Sequence, residues 1–136
     1  MADFALSPQL KAELERIAAT TREATGTILF QRGQPVSGVY LVRNGKVDLS
    51  LESKKQVYPT RTLGPGCILG LPATMSGAAY SLTATVNKNA ELGFVSREAF
   101  LKLMAANTSL CLEAMNLLSQ EISSIRSAMS FETAAG

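Results

Sequence analysis

The sequence predicts a mainly β domain with flanking helices, organised as one unit over residues 1–136. Three observations predict it. Lys46 to Glu52 alternates without a break, with Val47, Leu49 and Leu51 on one face and Lys46, Asp48, Ser50 and Glu52 on the other. That period of two marks a half-buried antiparallel strand. Between Thr25 and Val95, short strand-like runs are separated by turn residues roughly every ten positions, as in a sandwich or barrel. Before and after this region the apolar spacing changes to that of helices.

The elements follow in order. Ser7-Pro8 opens a helix, with serine as N-cap and proline at the first helical position, and Leu10, Leu14 and Ile17 carry it over 8–19. Thr27 to Phe30 and Val39 to Val42 read as strands, with Gly26, Gly33, Gly38 and Gly45 placed where turns need positive backbone angles. Glu52 to Lys55 reads as a polar hairpin tip, and Pro59 as a sign of an edge strand or bulge. Leu63-Gly64-Pro65-Gly66 breaks the pattern before the apolar run Cys67 to Leu71. Tyr80, Leu82, Ala84 and Val86 then alternate with the hydroxyls of Ser81, Thr83 and Thr85, and Glu91 to Val95 forms a last strand. Ser96 caps a helix beginning near Arg97. From about Thr108 to Met129 a long helix is expected, with a narrow apolar seam at Cys111, Met115, Leu118, Ile122, Ile125 and Met129. Spacings alternating between four and three mark a helix that packs along a partner helix. The other reading is a helix laid on its own sheet, which usually shows a wider stripe. Phe131 to Gly136 reads as a frayed end.

Composition excludes several functions. Hydrophobic residues make up 46% of the chain and charged residues 18%, the balance of a packed globular protein. A net charge of +2, with no basic cluster beyond Lys54-Lys55, does not suggest a nucleic-acid surface. No apolar run is long enough to span a membrane, and no signal peptide opens the chain. Cys67 and Cys111 stand in unlike contexts, read as free thiols, and suit a reducing cytoplasmic setting. The chain has no histidine, which removes the commonest general base and metal ligand, and its eleven acidic residues are scattered. No enzyme, metal site or cofactor is expected.

The glycine-spaced strands through Gly45, the Leu63-Gly64-Pro65-Gly66 break, and the Glu91 to Leu103 strand-to-helix passage with Phe100 occur in order and at consistent spacing. Together they resemble the cyclic-nucleotide-binding domain family. More narrowly, they resemble the regulatory domains of the catabolite-activator and fumarate-nitrate-reductase class of bacterial transcription regulators. The resemblance implies an eight-stranded antiparallel β-roll or jelly roll over 25–95, a phosphate-binding cassette at 66–84, C-terminal helices over 97–129, and a homodimer formed through the last helix. Its interface would use Met115, Leu118, Ile122, Ile125 and Met129.

Cassettes of this family that bind cyclic nucleotides carry a glutamate after the glycine that opens a short helix. They also carry an arginine about ten residues later, beside a serine or threonine. Here Gly70 and Ser81 match, but Leu71 stands where the glutamate belongs and Tyr80 where the arginine belongs. Each lost charged hydrogen bond removes ~1.5–3 kcal/mol, so the pair lowers affinity by roughly a hundredfold to ten-thousandfold. Cyclic AMP and GMP are therefore disfavoured. The candidate ligand-binding residues are Gly70, Leu71, Ala73, Tyr80, Ser81 and Thr83. Hydroxyls, amides and apolar walls suit a neutral small-molecule effector; alternatively, Leu71, Met75 and Tyr80 fill the hollow themselves. Two functions follow from such a cassette: a regulatory sensor domain of a transcription regulator, or a ligand-free dimeric interaction scaffold acting through its C-terminal helix. With no second recognition helix before Gly136, this chain is not expected to bind specific DNA directly.

Overall fold

The computed structural model describes residues 6–52 and 57–120, with side chains described outside 52–60. The chain runs α1 (Pro8–Ile17), β1 (Ala19–Glu23), β2 (Ile28–Phe30), β3 (Gly38–Glu52), β4 (Val57–Leu63), β5 (Ile68–Leu69), α2 (Leu71–Ser76), β6 (Thr83–Ser96) and α3 (Arg97–Ala106). A further helix, α4, covers 108–120.

Helix starts fall where the sequence places them. The Ser7 hydroxyl accepts from the Leu10 amide at 3.2 Å, and the Ser96 hydroxyl does the same for Ala99 at 3.2 Å. Asn107 Oδ1 accepts from the Leu110 amide at 3.1 Å, so the starts of α1, α3 and α4 each have a side-chain partner for one of their orphan donors, whereas α2 starts on Gly70 without one. α1 ends at Ile17 rather than Ala19, because Ala19–Glu23 pairs antiparallel with Phe94 to Ala90 of β6. The β-branched Thr20 and Thr21 favour that pairing over a further helical turn.

All strand pairs are antiparallel, in the order β1-β6-β3-β4, with β2 on β6 and β5 on β3. The described residues therefore hold six strands where eight are expected from the sequence. β3 and β6 run unbroken through positions where two short strands each were anticipated. Their pairing shifts register between Val42 and Val47, and that irregularity bends the long ladder. One half of each long strand then serves one set of neighbours and the other half a second set. β1 and β5 pair near Phe94 and Tyr40, while β2 and β4 pair near Thr85 and Val47. β4 ends the sheet order, and its register slips opposite Leu49 and Ser50, beside Pro59. The proline thus sits on an edge strand next to a bulge, where a missing N–H is tolerated. The tip expected at 52–55 lies outside the described side chains.

Gly26, Gly33 and Gly45 take positive φ. Gly38 does not, and is needed for a different reason: a Cβ there would stand 2.1 Å from the Val95 carbonyl oxygen. β3 and β6 approach too closely at that point for any side chain.

Two apolar clusters result. Phe30, Val42, Val47, Leu49, Leu51, Leu63, Tyr80, Leu82, Ala84 and Val86 fill the inside of the roll. Val39, Leu41 and Val95, on the opposite face of the same strands, pack with Leu10, Leu14, Ile68, Leu71, Phe100, Leu110, Ala114 and Leu117 under the helices. Fully buried leucines of this kind contribute roughly 1.5–3 kcal/mol each. α1 is also held by charge: Glu15 Oε1 lies 2.6 Å from Arg43 Nη2 and accepts from Arg43 Nε at 2.8 Å.

Candidate functional site

The hollow of the roll is closed at one end by the loop that carries α2. Gly70 caps this helix in the left-handed conformation, φ +83°. A Cβ at Gly70 would lie 3.0 Å from the Tyr80 ring and 3.1 Å from the Gly38 carbonyl oxygen, so the loop needs glycine for both conformation and space. Thr74 Oγ1 donates back to the Gly70 carbonyl at 2.8 Å, and Ser76 Oγ donates to the Pro72 carbonyl at 2.9 Å. Gly77, also left-handed, ends the helix with its amide donating to the Ala73 carbonyl.

The chain then returns under the helix at Tyr80, whose backbone is fixed to the turn at 33–34. The Gly33 amide donates to the Tyr80 carbonyl at 2.8 Å, and the Tyr80 amide donates to the Gln34 carbonyl at 3.0 Å. Its ring points into the roll and is 2% exposed. It stacks on Phe30 with centroids 3.9 Å apart and planes 13° from parallel. The hydroxyl donates to the Gly38 carbonyl at 2.8 Å and accepts from the Ser37 and Gly38 amides, each at 3.1 Å. A phenol has one proton and two lone pairs, and all three are used. Phe30 leads on to Tyr40, 6.1 Å away, and Tyr40 to Phe94 at 5.0 Å, an aromatic row that runs from the buried Phe30 to the half-buried Tyr40 and Phe94. Burial raises the Tyr40 hydroxyl pKa above its ordinary value, and the neighbouring Tyr80 and Glu23 add to the effect.

The space left beside Tyr80 measures about 10 Å³ and is lined by Phe30, Leu49, Gly70, Ala73, Tyr80 and Ser81, among others. That is about one water molecule, far below the ~300 Å³ of even a small ligand pocket. Gly70, Ala73, Tyr80 and Ser81 thus come together as the sequence suggests. Leu71 and Thr83 do not line this space. Leu71 is wholly buried in the cluster under the helices, and Thr83 Oγ1 accepts from the Arg32 amide at 3.0 Å. The Ser76 hydroxyl is spent on its own helix at the surface.

Sequence reasoning missed Phe30, Ser37, Gly38 and Arg97 as parts of this site. Arg97 Nε donates to the Thr74 carbonyl at 3.0 Å, and the Arg97 amide donates to the Ser37 carbonyl at 3.0 Å. The start of α3 is therefore tied both to the end of α2 and to the residue that holds the Tyr80 hydroxyl. Only the serine-capped strand-to-helix junction hinted at this position.

α4 turns Leu110, Ala114 and Leu117 onto its own domain. The expected seam lies beside that stripe: Met115 is 51% exposed, while Cys111 and Leu118 are half-buried. Leu112, not part of the seam, is 62% exposed. Ile122, Ile125 and Met129 lie outside the described residues. No helix among the described residues is long and apolar enough to cross a membrane.

Comparison with known proteins agrees with this architecture. The family model for the cyclic nucleotide-binding domain matches residues 22–107. The HTH-type transcriptional regulator Cmr of Mycobacterium tuberculosis (strain CDC 1551 / Oshkosh) is 25% identical over 107 residues, covering 74% of this chain but only 41% of that protein. Among solved structures, the catabolite activator protein of Thermus thermophilus matches with a TM-score of 0.79 at 22% identity, over 94% of this chain and 61% of that one. A transcriptional regulator from Thermotoga maritima gives 0.75 at 16% identity, over 91% of this chain and 98% of that one. CLP of Xanthomonas campestris, described as a c-di-GMP-responsive global regulator, gives 0.74 at 18% identity, over 94% and 63%. The structural likenesses establish a common fold, and the family match spans well over half of the sequence: this chain belongs to the cyclic nucleotide-binding domain family.

Proposed function

We propose that this chain is the regulatory and dimerisation part of a transcription-regulator-type protein, acting by binding and coupling rather than catalysis, with a degenerate cassette that does not take cyclic AMP or GMP in the family's usual way. The observation that carries this reading is Tyr80. It occupies the hollow with its ring and satisfies the Ser37 and Gly38 backbone groups with its hydroxyl. A nucleotide would have to displace a stacked aromatic ring and find another partner for its phosphate. The residue after Gly70 is an apolar leucine turned into the helix core, so it offers no ribose contact. The exposed Met115 and half-buried Leu118 support a homodimer through α4, continued by Ile122, Ile125 and Met129. The relative described as a helix-turn-helix regulator supports a role in transcription control, in which a signal passes along α3 and α4.

The residual space of about 10 Å³ favours a second reading, a ligand-free dimeric scaffold that works through α4. Calorimetric titration with cyclic AMP and cyclic GMP tests the shared claim. No heat is expected up to millimolar nucleotide, and saturable micromolar binding would overturn both readings. A screen of uncharged aromatic effectors by thermal shift separates them: a hit that is lost on Tyr80→Trp selects the sensor, and none selects the scaffold.

A further inference from the structure

A second concavity lies where the β3–β6 ladder shifts register and shares no wall residue with the space beside Tyr80. It measures about 660 Å³, within the ~300–1,000 Å³ range of small-molecule sites, and Arg22, Asn44, Lys46, Pro65, Lys88 and Asn89 are among its walls. Lys46 and Lys88 are direct cross-strand partners in that ladder. Like charges directly opposite one another destabilise a sheet, their Cβ atoms being only about 5 Å apart. Neither lysine has a carboxylate within ion-pair distance among the described residues.

The two asparagines add donors. Asn89 Oδ1 accepts from the Thr25 amide at 2.8 Å and from the Thr25 hydroxyl at 2.9 Å, and Asn44 Oδ1 accepts from the Gly45 amide at 3.0 Å. With both oxygens engaged, the Nδ2 groups are left as donors, and neither has an acceptor among the described residues. Of the two carboxylates on the walls, Glu91 is held by Arg22 at 3.4 Å and Arg43 at 3.8 Å, and Glu23 accepts from the Thr21 hydroxyl. Among the described residues the groove therefore offers two ammonium groups without an ion-pair partner and two amide donors, against one carboxylate, Glu23, that no cation holds.

We propose that this groove is a binding site for a small divalent anion, a phosphomonoester or a dicarboxylate, seated between Lys46 and Lys88. The anion relieves the repulsion that the ladder builds in, and Asn44 and Asn89 hydrogen-bond its remaining oxygens. The site is independent of the Tyr80 hollow and of the reading drawn from it.

The test is a pair of amide NMR titrations of the full chain, with inorganic phosphate and with succinate as probes. Saturable shifts are expected at Asn44 to Lys46 and Lys88 to Glu91 with one probe or both, and the probe that saturates identifies the anion class. Lys46→Gln and Lys88→Gln should each weaken binding at least tenfold, whereas Lys11→Gln, on the exposed face of α1, should not. Without anion, Lys88→Gln should also raise the melting temperature, since it removes the facing charge. Shifts that never saturate, or that persist unchanged in the Lys46→Gln/Lys88→Gln double variant, would overturn the site and leave ordinary screening by salt.

Discussion

Replacing Tyr80 by phenylalanine would keep the stacked ring on Phe30 and remove only the hydroxyl. The Ser37 and Gly38 amides and the Gly38 carbonyl would then face an apolar ring edge, the two Gly38 groups in a buried site. A stranded polar group costs ~1–3 kcal/mol, and a drop of that size in urea-melt stability is expected for Tyr80→Phe. An unchanged melt would show that the hydroxyl contributes nothing. Tyr80→Ala should lose more, ~3–5 kcal/mol, because it also leaves a ring-sized void. Phenol supplied in solution should refill that void, reach the same amides and raise the melting temperature of the alanine variant but not of the parent. At Gly38 the issue is backbone approach: its Cβ would meet both the Val95 carbonyl and the Ser96 Cα, at 2.1 and 2.9 Å. Gly38→Ala should push β3 and β6 apart and cost more than about 3 kcal/mol. Gly64→Ala has open space around its Cβ and should fall within about 0.5 kcal/mol of the parent. Equal melts for these two variants would refute the close-approach argument.

At the scale of elements, α2 and α4 each divide their residues between two environments. Leu71 sits in the first turn of α2 but points away from the roll interior, so Leu71→Glu does not restore a ribose contact. It buries a carboxylate among Leu10, Ile68 and Phe100. Its expected effect is a loss of at least about 2–5 kcal/mol, the range for deleting a buried leucine, with no gain of nucleotide affinity by calorimetry. On α4, Leu117→Ala should lower the melting temperature and leave assembly unchanged, whereas Met115→Asp should leave the fold intact and shift sedimentation from dimer to monomer. A dimer that survives Met115→Asp would move the interface off this face. These elements also show which features were legible in the sequence. The period-two run at 46–52, the Ser7 and Ser96 caps and the Pro59 irregularity are local signals that appear in the structure where the sequence puts them. By contrast, the run from Tyr80 enters its strand only at Thr83, which is buried beside Leu82 and Ala84. The strand Ala19–Glu23 was not legible, since its pairing depends on residues some seventy positions away rather than on its own pattern. On α4 the stripe that covers the domain was not legible: Leu110, Ala114 and Leu117, with Cys111 and Leu118 at its margin, pack on the domain, while Met115 of the heptad faces outward. The Tyr80 contacts were equally hidden, because Ser37 and Gly38 lie 43 and 42 residues earlier.

Across the whole molecule, the contacts around Tyr80 form a continuous route to the helices. The Tyr80 hydroxyl accepts from the Ser37 amide, the Ser37 carbonyl accepts from the Arg97 amide, and the Arg97 side chain holds the Thr74 carbonyl of α2. Phe100 and Met104 of α3 then pack in the same cluster as Leu110, Ala114 and Leu117 of α4. If the hollow communicates with the proposed dimer helix, this route requires no movement of the β1–β6 pairing, which is held separately by its own ladder, by the Arg22–Glu91 ion pair and by Arg43, whose guanidinium joins Thr20 of β1 to Glu91 of β6. Amide hydrogen exchange can separate this local coupling from general loosening. In Tyr80→Ala, faster exchange is expected at Arg97 and through α3 and α4, while the β1 amides keep their protection relative to global stability. Adding phenol should restore the slow rates in α3 and α4 together. Uniform acceleration in every element would mean that Tyr80 only stabilises the core, and acceleration confined to β2 and α2 would mean that the Ser37–Arg97 link transmits nothing.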